Sequence, residues 1–394
     1  MRRISYFSGP SFGLAALLLS ACASTPNLVQ TLAHLPEVTS FDATVADGKI
    51  HVLLATKPDH AQRRMVLDYL VSADGGEHWS TPSVAGTDAR PVTVRGNDVQ
   101  IAAANDKLVA IWQSQGEWPN MGPMVSRYSH DGGKTWYDGN NPAVDTDGDQ
   151  SHLDVSADQL GYFHAVWLAD PEENGYQSLR YARSVDGGVH WQASQKLDDS
   201  TCSCCWNTLV VSPTGVLNLL YRDMKPRDMA LLQSFDQGQT WQHASTVGQF
   251  NWQFDGCPHI GGGLAITDDS HMYSSVWTGL ANKAGLYTLR SVDNGKHWQP
   301  PLAMGRLASR NDIAANGQHL AVIWDEREAE ASAIFYALSH DGGDHWTAAM
   351  RLSAQGMKAT HPRILPTANG FLAMWTEKQG KHSSRWVVKP LPKE

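Results

Sequence analysis

One eight-residue pattern, Ser-x-Asp-x-Gly-x-x-Trp, recurs six times along this chain of 394 residues. Its tryptophans follow one another at intervals of 57, 55, 50, 57 and 48 residues, at Trp79, Trp136, Trp191, Trp241, Trp298 and Trp346. Two apolar runs typical of β-strands precede each copy, as IHVLLA and VLDYLVS do before the first. A strand-rich repeat of about fifty residues is typical of a β-propeller blade. The spacing therefore predicts an all-β propeller whose blades each contain four strands, A to D.

The first copy, SADGGEHW at 72–79, has the composition of a tight turn between strands C and D. Serine and aspartate side chains hydrogen-bond the backbone N–H groups of the turn they occupy. Glycine supplies a positive φ angle that a Cβ would resist. The tryptophan can pack its ring beneath the turn. We therefore expect a structural role for the motif aspartates.

The pattern closely resembles the Asp-box, or BNR repeat, of the sialidase superfamily. This resemblance covers nearly the whole chain. It implies an architecture rather than a reaction, because Asp-boxes lie on the face away from the active site in sialidases.

The number of blades depends on how the two chain ends meet. Six motif-bearing blades use residues from about 39 to 356. The remainder, THPRILPTANGFLAMWTEKQGKHSSRWVVKPLP, offers strands A, B and C but no motif and no strand D. The segment NLVQTLAHLP could supply that strand and close the ring, which removes the open sheet edges. We therefore predict seven blades, with six blades and an appended hairpin as the alternative.

Residues 1–21 are predicted to be a signal peptide rather than part of the fold. MRR gives a basic start and GLAALLLSA a short apolar stretch. The stretch ends in LSAC, which resembles the lipobox of bacterial lipoproteins. The resemblance implies cleavage before Cys22, a lipid on its sulfur and, because Ala and Ser follow, an outer-membrane location in the cell envelope. Residues 22–38 are then a lipidated tether and candidate closing strand, and residues 39–394 the propeller.

Charge and composition exclude one class of partner. The chain is 42% hydrophobic, carries a net charge of −9 and has no run of Lys or Arg. Nucleic-acid-binding proteins display basic patches, so we expect no nucleic-acid partner. We expect a monomer that contacts the membrane through its lipid and binds a small molecule, a glycan or a metal.

Charged residues concentrate where strands A begin and where strands B and C are joined. In a propeller these segments share one face around the central channel, and loops on a rigid scaffold commonly carry function. The candidate ligand-binding residues are Arg90, Arg222, Arg227, Arg310 and Asp312. The candidate catalytic residues are Arg222, Asp223, Arg310, Asp325 and Arg363.

Four cysteines besides Cys22 begin strand A of the fourth and fifth blades. Alternation along a strand predicts that Cys202 and Cys204 point one way and Cys205 the other. Three interpretations stay open. A disulfide, which export allows, would join Cys257 to Cys202 or Cys204. A Cu(I) or Zn(II) site would use Cys202, Cys204, Cys257 and His259. The third interpretation is free or catalytic thiols.

TCSCCW, YRD, GCPHIGG and the Arg-x-Asp of SRND together resemble a subgroup of bacterial sialidase-like lipoproteins with a CxCC and a Cys-Pro pair. This second resemblance covers blades four to six, about a third of the chain. It refines the fold more than the function.

The sequence matches the catalytic residues of sialidases poorly. A sialidase needs three arginines that clamp the substrate carboxylate, a tyrosine nucleophile activated by a glutamate, and an aspartate acid/base. The family signature Phe/Tyr-Arg-Ile-Pro opens the first blade, whereas strand A here begins SFDATVADG without arginine. The nearest match surrounds Arg363 in the last blade, and the best-placed tyrosine is Tyr221. The resemblance in fold therefore does not imply that the chain catalyses the sialidase reaction.

We favour a binding or metal-handling module at the channel face. The second hypothesis is a sialidase-like exo-glycoside hydrolase acting on sialylated or related glycans. Its clamp would come from Arg90, Arg222, Arg310 or Arg363, and its acid would be Asp223 or Asp325. The third hypothesis is a disulfide-stapled scaffold with no small ligand.

Overall fold

The structure is a computed structural model of the propeller. Besides Met1, the described residues are 35–58, 65–89, 91, 96, 98–116, 122–144, 149–169, 177–329 and 331–392. Cys22, Arg90 and most of segment 22–38 lie outside them.

The first three blades run from residue 37 to residue 201. Blade one comprises β1 (Glu37–Ala46), β2 (Lys49–Lys57), β3 (Met65–Ser72) and β4 (Ser83–Ala89). Blade two comprises β5 (Val99–Ala104), β6 (Lys107–Gln113), β7 (Met124–Ser129) and β8 (Tyr137–Gly139). Blade three comprises β9 (Gln150–Ala157), β10 (Phe163–Ala169), β11 (Gln177–Ser184) and β12 (Gln195–Thr201).

The remaining blades run from residue 208 to residue 392. Blade four comprises β13 (Thr208–Val211), β14 (Leu217–Arg222), β15 (Met229–Ser234) and β16 (Gln242–Val247). Blade five comprises β17 (Gly263–Ile266), β18 (Met272–Thr278), β19 (Gly285–Ser291) and β20 (Leu302–Gly305). Blade six comprises β21 (Ala308–Asn316), β22 (His319–Glu328), β23 (Ala331–Ser339) and β24 (Met350–Arg351). Blade seven comprises β25 (Lys358–Thr367), β26 (Gly370–Lys378) and β27 (Arg385–Pro392).

The described residues form seven antiparallel sheets, which confirms the all-β class and the prediction of seven blades. In each sheet the strands follow one another in chain order, so every connection within a blade is a hairpin. Blade seven has three strands among the described residues, and the closing strand expected from 22–38 stays a prediction. The ring meets at this point, where the Val38 N–H donates to the Ser384 carbonyl (3.0 Å).

The core lies between neighbouring blades, because each sheet buries both faces. Leu53 and Leu67 of blade one pack with Ile101 and Leu108 of blade two. The same kind of cluster joins the last blade to the first and includes Trp386, which is 1% exposed. Closure of the ring therefore buries apolar surface at every junction, including the one between the chain ends.

The repeated motif forms the predicted turn. The Ser72 hydroxyl donates to the Asp74 carboxylate (2.8 Å) and accepts the Gly76 N–H (2.9 Å). The Asp74 carboxylate also accepts the His78 N–H (2.9 Å) and contacts Nδ1 of the His78 ring (2.7 Å). Hydrogen bonds from His78 lower the pKa of Asp74 to about 2, so the turn keeps its anionic acceptor. The aspartates thus close turns, as the sequence predicted.

The motif turns and the loops that join strands B and C lie at opposite ends of the blades. The A–B turn at Asp106 is bonded to the motif turn, since its carbonyl accepts the Gly132 N–H (2.8 Å). The starts of strands A and the B–C loops lie at the other end of the channel. In the part of the chain that the structure describes, no helix is long and apolar enough to cross a bilayer.

Candidate functional site

The central channel opens between the starts of the A strands. Among the described residues, its mouth holds a cavity of about 60 Å³. Trp206, His259 and Gly261 line one side of this cavity, and Arg310, His361 and Arg363 line another. Such a space accommodates a few water molecules and is smaller than the roughly 300–1,000 Å³ of most organic-ligand pockets.

Three buried thiols lie beside the mouth at the entrance to blade four. After Thr201 the chain turns at Ser203 and Cys204 before the next strand begins. The turn gathers the sulfurs, since Sγ of Cys202 is 3.6 Å from that of Cys204 and 2.8 Å from that of Cys205. The prediction that Cys205 points away from Cys202 and Cys204 is therefore wrong, because side chains alternate in an extended strand but not in a turn.

A second loop brings a thiol and an imidazole to the same place. The sulfur of Cys204 and the ligand atoms of Cys257 and His259 all lie within 4.8 Å of one another. Cys257 and His259 are exposed, whereas Cys204 is 5% exposed. We call these three residues together with Cys202 and Cys205 the cysteine–histidine cluster. All four of its cysteines are free thiols.

The two loops come close because small residues follow the histidine in CPHIGGG. A Cβ on Gly261 would lie 2.7 Å from the Trp206 carbonyl oxygen, which is closer than side chains approach backbone. His259 itself adopts a φ of 56°, a left-handed conformation that is uncommon outside glycine. Backbone strain of this kind is found at sites that the surrounding structure holds in place.

A buried arginine connects both loops. The Arg222 guanidinium donates to the carbonyls of Arg227 (2.7 Å) and Trp277 (2.9 Å). Its Nε donates to the Ile260 carbonyl (3.2 Å) in the loop that carries the histidine. The Arg222 carbonyl in turn accepts the Cys202 N–H (3.0 Å). Arg222, a candidate for the clamp and for catalysis, is 2% exposed and is committed to the scaffold of the cluster.

The surroundings make one of the thiols acidic. Hydrogen bonds from the thiols of Cys204 and Cys205, with a smaller contribution from the Arg222 charge, lower the pKa of Cys202. Burial raises the pKa of Cys205 to about 12. The cluster therefore favours one thiolate that is shared among neighbouring donors, and thiolates are the form that binds metal.

Deeper in the channel, three aspartates surround one arginine. Nη2 of Arg363 lies 3.1 Å from the Asp42 carboxylate, and its Nε lies 3.6 Å from that of Asp312. Burial, reinforced by the Asp42 charge, raises the pKa of Asp154 to about 7. Burial also raises the pKa values of Asp42 and Asp312, while Arg363 opposes the shift. This part of the channel thus carries no excess of positive charge.

These aspartates also join neighbouring blades. The carboxylates accept backbone N–H groups of the following A strand: Asp42 from Ile101 (2.9 Å) and Asp312 from Ile364 (3.0 Å). Asp312 was predicted from the sequence to bind a ligand, whereas Asp42 was not among the predicted residues. Comparing SFDA with SRNDI would have found Asp42, because both place an aspartate before an inward-facing apolar residue of strand A.

Arg310 lies at the rim of the mouth with its charge already balanced. Its guanidinium contacts Asp325 (3.2 Å) and the Thr360 hydroxyl (3.3 Å). The same carboxylate accepts the Thr360 hydroxyl (2.6 Å) and the His361 N–H (3.3 Å). Asp325 therefore organises the rim. Among the described residues, the buried Nδ1 of His361 has no hydrogen-bond partner. Burial together with the Arg310 charge holds the pKa of His361 well below its usual range.

The other candidates lie away from the cavity. Arg227 donates Nε to the Phe254 carbonyl (2.6 Å), and Asp223 accepts the Met224 N–H (2.6 Å). The Tyr221 hydroxyl donates to Asp198 (2.8 Å) between blades three and four. Among the described residues, the structure thus brings Arg310 and Arg363 to the mouth but neither Arg222, Arg227 nor Tyr221. Arg90 lies outside the described residues.

Comparison with known families supports the architecture. A model of the BNR repeat-like domain matches residues 38–277, more than half of the chain. The chain belongs to the BNR repeat-like family. None of the curated proteins matches it.

Solved structures share the propeller at low sequence identity. An ulvan lyase of a polysaccharide lyase family has a TM-score of 0.57 and 11% identity, with 93% of this chain and 95% of that one covered. The Hadza microbial sialidase Hz136 has a TM-score of 0.51 and 13% identity, covering 84% and 74%. The NanB sialidase from Streptococcus pneumoniae has a TM-score of 0.50 and 11% identity, covering 92% and 70%. At such identities the likeness concerns the fold, which is that of a sialidase-like BNR propeller.

Proposed function

We propose that this chain is a soft-metal-binding propeller of the cell envelope that takes Cu(I) or Zn(II) at the cysteine–histidine cluster. The observation that carries the proposal is the convergence of donors from two blades. Cys204, Cys257 and His259 form one group of ligand atoms within 4.8 Å of one another, and Cys202, Cys204 and Cys205 form a second. Thiolate and imidazole are the donors that these ions prefer.

The electrostatics of the channel are consistent with a cationic ligand. Three carboxyl groups face the single guanidinium of Arg363, and Asp325 balances Arg310. Among the described residues of this space, an anionic sugar would find no cation without a carboxylate partner to receive its own carboxylate. The small cavity at the mouth likewise suits an ion and a few waters better than a pyranose.

The second candidate function is glycan processing. Its support is the fold shared with two sialidases and an ulvan lyase, a protein also solved with a -[GlcA(1-4)Rha3S]- ligand. Two arginines of the expected clamp line the mouth, and both already contact carboxylates. Tyr221 is buried and bonded to Asp198, so it lacks the exposure that a nucleophile needs. We therefore rank this function below metal binding.

Metal loading tests the proposal. Protein purified without oxygen, reduced, supplied with Cu(I) or Zn(II) and desalted should retain metal by elemental analysis. Cys204→Ala should lose most of it, because Cys204 belongs to both groups of ligand atoms.

His78→Ala is the matched control. His78 belongs to an exposed group with Asp74 and Glu77 on the opposite face, whose ligand atoms are equally close. Its replacement should leave the metal content unchanged. The proposal is wrong if fully reduced wild-type protein retains no metal, or if His78→Ala loses metal and Cys204→Ala does not. Turnover of a fluorogenic sialoside by metal-free protein would favour the hydrolase instead.

We also propose that the protein is a monomer held at the outer membrane by a lipid on Cys22. The support is the basic start, the short apolar stretch and the LSAC sequence. Cys22→Ser should accumulate as unprocessed precursor, detected by its larger mass and by the absence of lipid label. Normal processing and membrane association of Cys22→Ser would contradict the anchor.

A further inference from the structure

The cysteine–histidine cluster consists of two ligand groups that overlap at one sulfur. Cys202, Cys204 and Cys205 form the inner group, and Cys204, Cys257 and His259 form the outer group. No other residue is shared between them. A thiolate has more than one lone pair, so a shared cysteine can bind two metal ions at once.

The two groups differ in their access to solvent. Cys202 and Cys205 are each 1% exposed, so an ion among the inner sulfurs is enclosed by protein. Cys257 and His259 are exposed, so an ion in the outer group faces solvent. Cys204 lies between them at 5% exposure. The arrangement therefore offers one enclosed and one open position in line.

The number of donors favours Cu(I) over Zn(II). Each group supplies three ligand atoms among the described residues, S₃ in the inner group and S₂N in the outer one. Protein sites for Zn(II) are almost always four-coordinate when closed, and the described residues add no fourth donor of this kind to the inner group. Cu(I) is soft and accepts three thiolate or imidazole donors.

We propose that the cluster binds two Cu(I) ions bridged by the Cys204 thiolate, an inner one among Cys202, Cys204 and Cys205 and an outer one among Cys204, Cys257 and His259. This rests on the proposed metal-binding function and specifies its metal, stoichiometry and bridging ligand. The outer ion occupies the position that exchanges with solvent. Copper enters and leaves the inner position by way of this outer position.

Stoichiometry and X-ray absorption test the bridge. Reduced, oxygen-free protein should take up about two Cu(I) per chain in competition with a chromogenic Cu(I) chelator, and its spectrum should contain a copper–copper scattering shell. His259→Ala and Cys257→Ala should hold about one, and so should Cys202→Ala and Cys205→Ala. Cys204→Ala should lose the copper–copper shell. His78→Ala, in the exposed group on the opposite face, is the control and should behave as wild type.

The outcomes distinguish failure of the two-copper bridge from failure of the proposed metal binding. One Cu(I) in the wild type, lost alike in Cys202→Ala and His259→Ala, means a single composite site and overturns the bridge while metal binding stands. Two Cu(I) without the copper–copper shell overturn the bridge as well. No Cu(I) uptake by fully reduced protein overturns both proposals.

Discussion

Replacing Arg222 by leucine is expected to lower the free energy of unfolding by about 3–5 kcal/mol and to weaken metal retention. The guanidinium donates to three carbonyl groups, two of them fully buried and the third partly buried, and leucine would remove this donor from all three. Two of these carbonyls belong to the loops after β14 and before β17, so the two halves of the cluster lose their common support. Urea unfolding measures the loss, which corresponds to a decrease in Tm of about 4–7 °C for a chain of this size.

Two control variants test whether the loss of stability comes from the hydrogen bonds of Arg222. Arg327→Leu replaces an exposed arginine near the end of β22 in blade six and should change stability by less than about 0.5 kcal/mol. Arg222→Lys keeps the charge, but one ammonium cannot reach all three carbonyls, so its loss should be intermediate. If Arg222→Leu is no less stable than Arg327→Leu, the scaffold role of Arg222 is wrong.

Gly133→Val is expected to destabilise the junction of blades one and two by about 2–6 kcal/mol without affecting metal content. Gly133 has a φ of 84°, which a β-branched residue resists. A Cβ there would also lie 2.2 Å from the ring of Tyr69. That ring cannot move aside easily, since it is 3% exposed, its hydroxyl contacts His51 (2.7 Å) and its edge packs on Trp136.

Gly161→Val isolates the packing part of this effect. Gly161 has a φ of 77°, and no atom lies within 4 Å of the position of its Cβ. Both variants carry the backbone strain of about 1–3 kcal/mol, and Gly133→Val alone adds the clash. The clash adds about 1–3 kcal/mol, so the melting temperatures of the two proteins should differ by about 1–4 °C. Equal melting temperatures would show that the motif turn is not fitted against the neighbouring blade.

The fold was predictable because its signals are local and repeated. The period of the tryptophans indicated blades, and the Ser-x-Asp-x-Gly pattern indicated a turn whose hydrogen bonds all lie within eight residues. Seven blades followed from a leftover segment that reads as three strands, and the structure contains those three as β25 to β27. None of these inferences depends on which residues distant in the sequence come into contact.

The site was predicted only in part because its geometry depends on contacts between residues that are distant in the sequence. The sequence placed four thiols and His259 on adjacent blades, yet it treated residues 202–205 as an extended strand and oriented Cys205 wrongly. Arg222 was chosen as a clamp because arginines at loop ends often bind anions. Its three carbonyl partners come from segments scattered over blades four and five, which no local pattern shows.

The sequence by itself determined the all-β class, the repeated turn, the face on which the functional loops gather and the residue types that could hold a soft metal. These depend on side-chain periodicity and on bonds between near neighbours. Only the tertiary structure decided which charges remain available and which sulfurs converge. Arg363 is balanced by Asp42 from the opposite end of the chain, and Cys204 meets His259 across a blade junction. Burial and distance between remote residues set both outcomes, because the energy of a charge or a thiolate depends on what surrounds it in three dimensions.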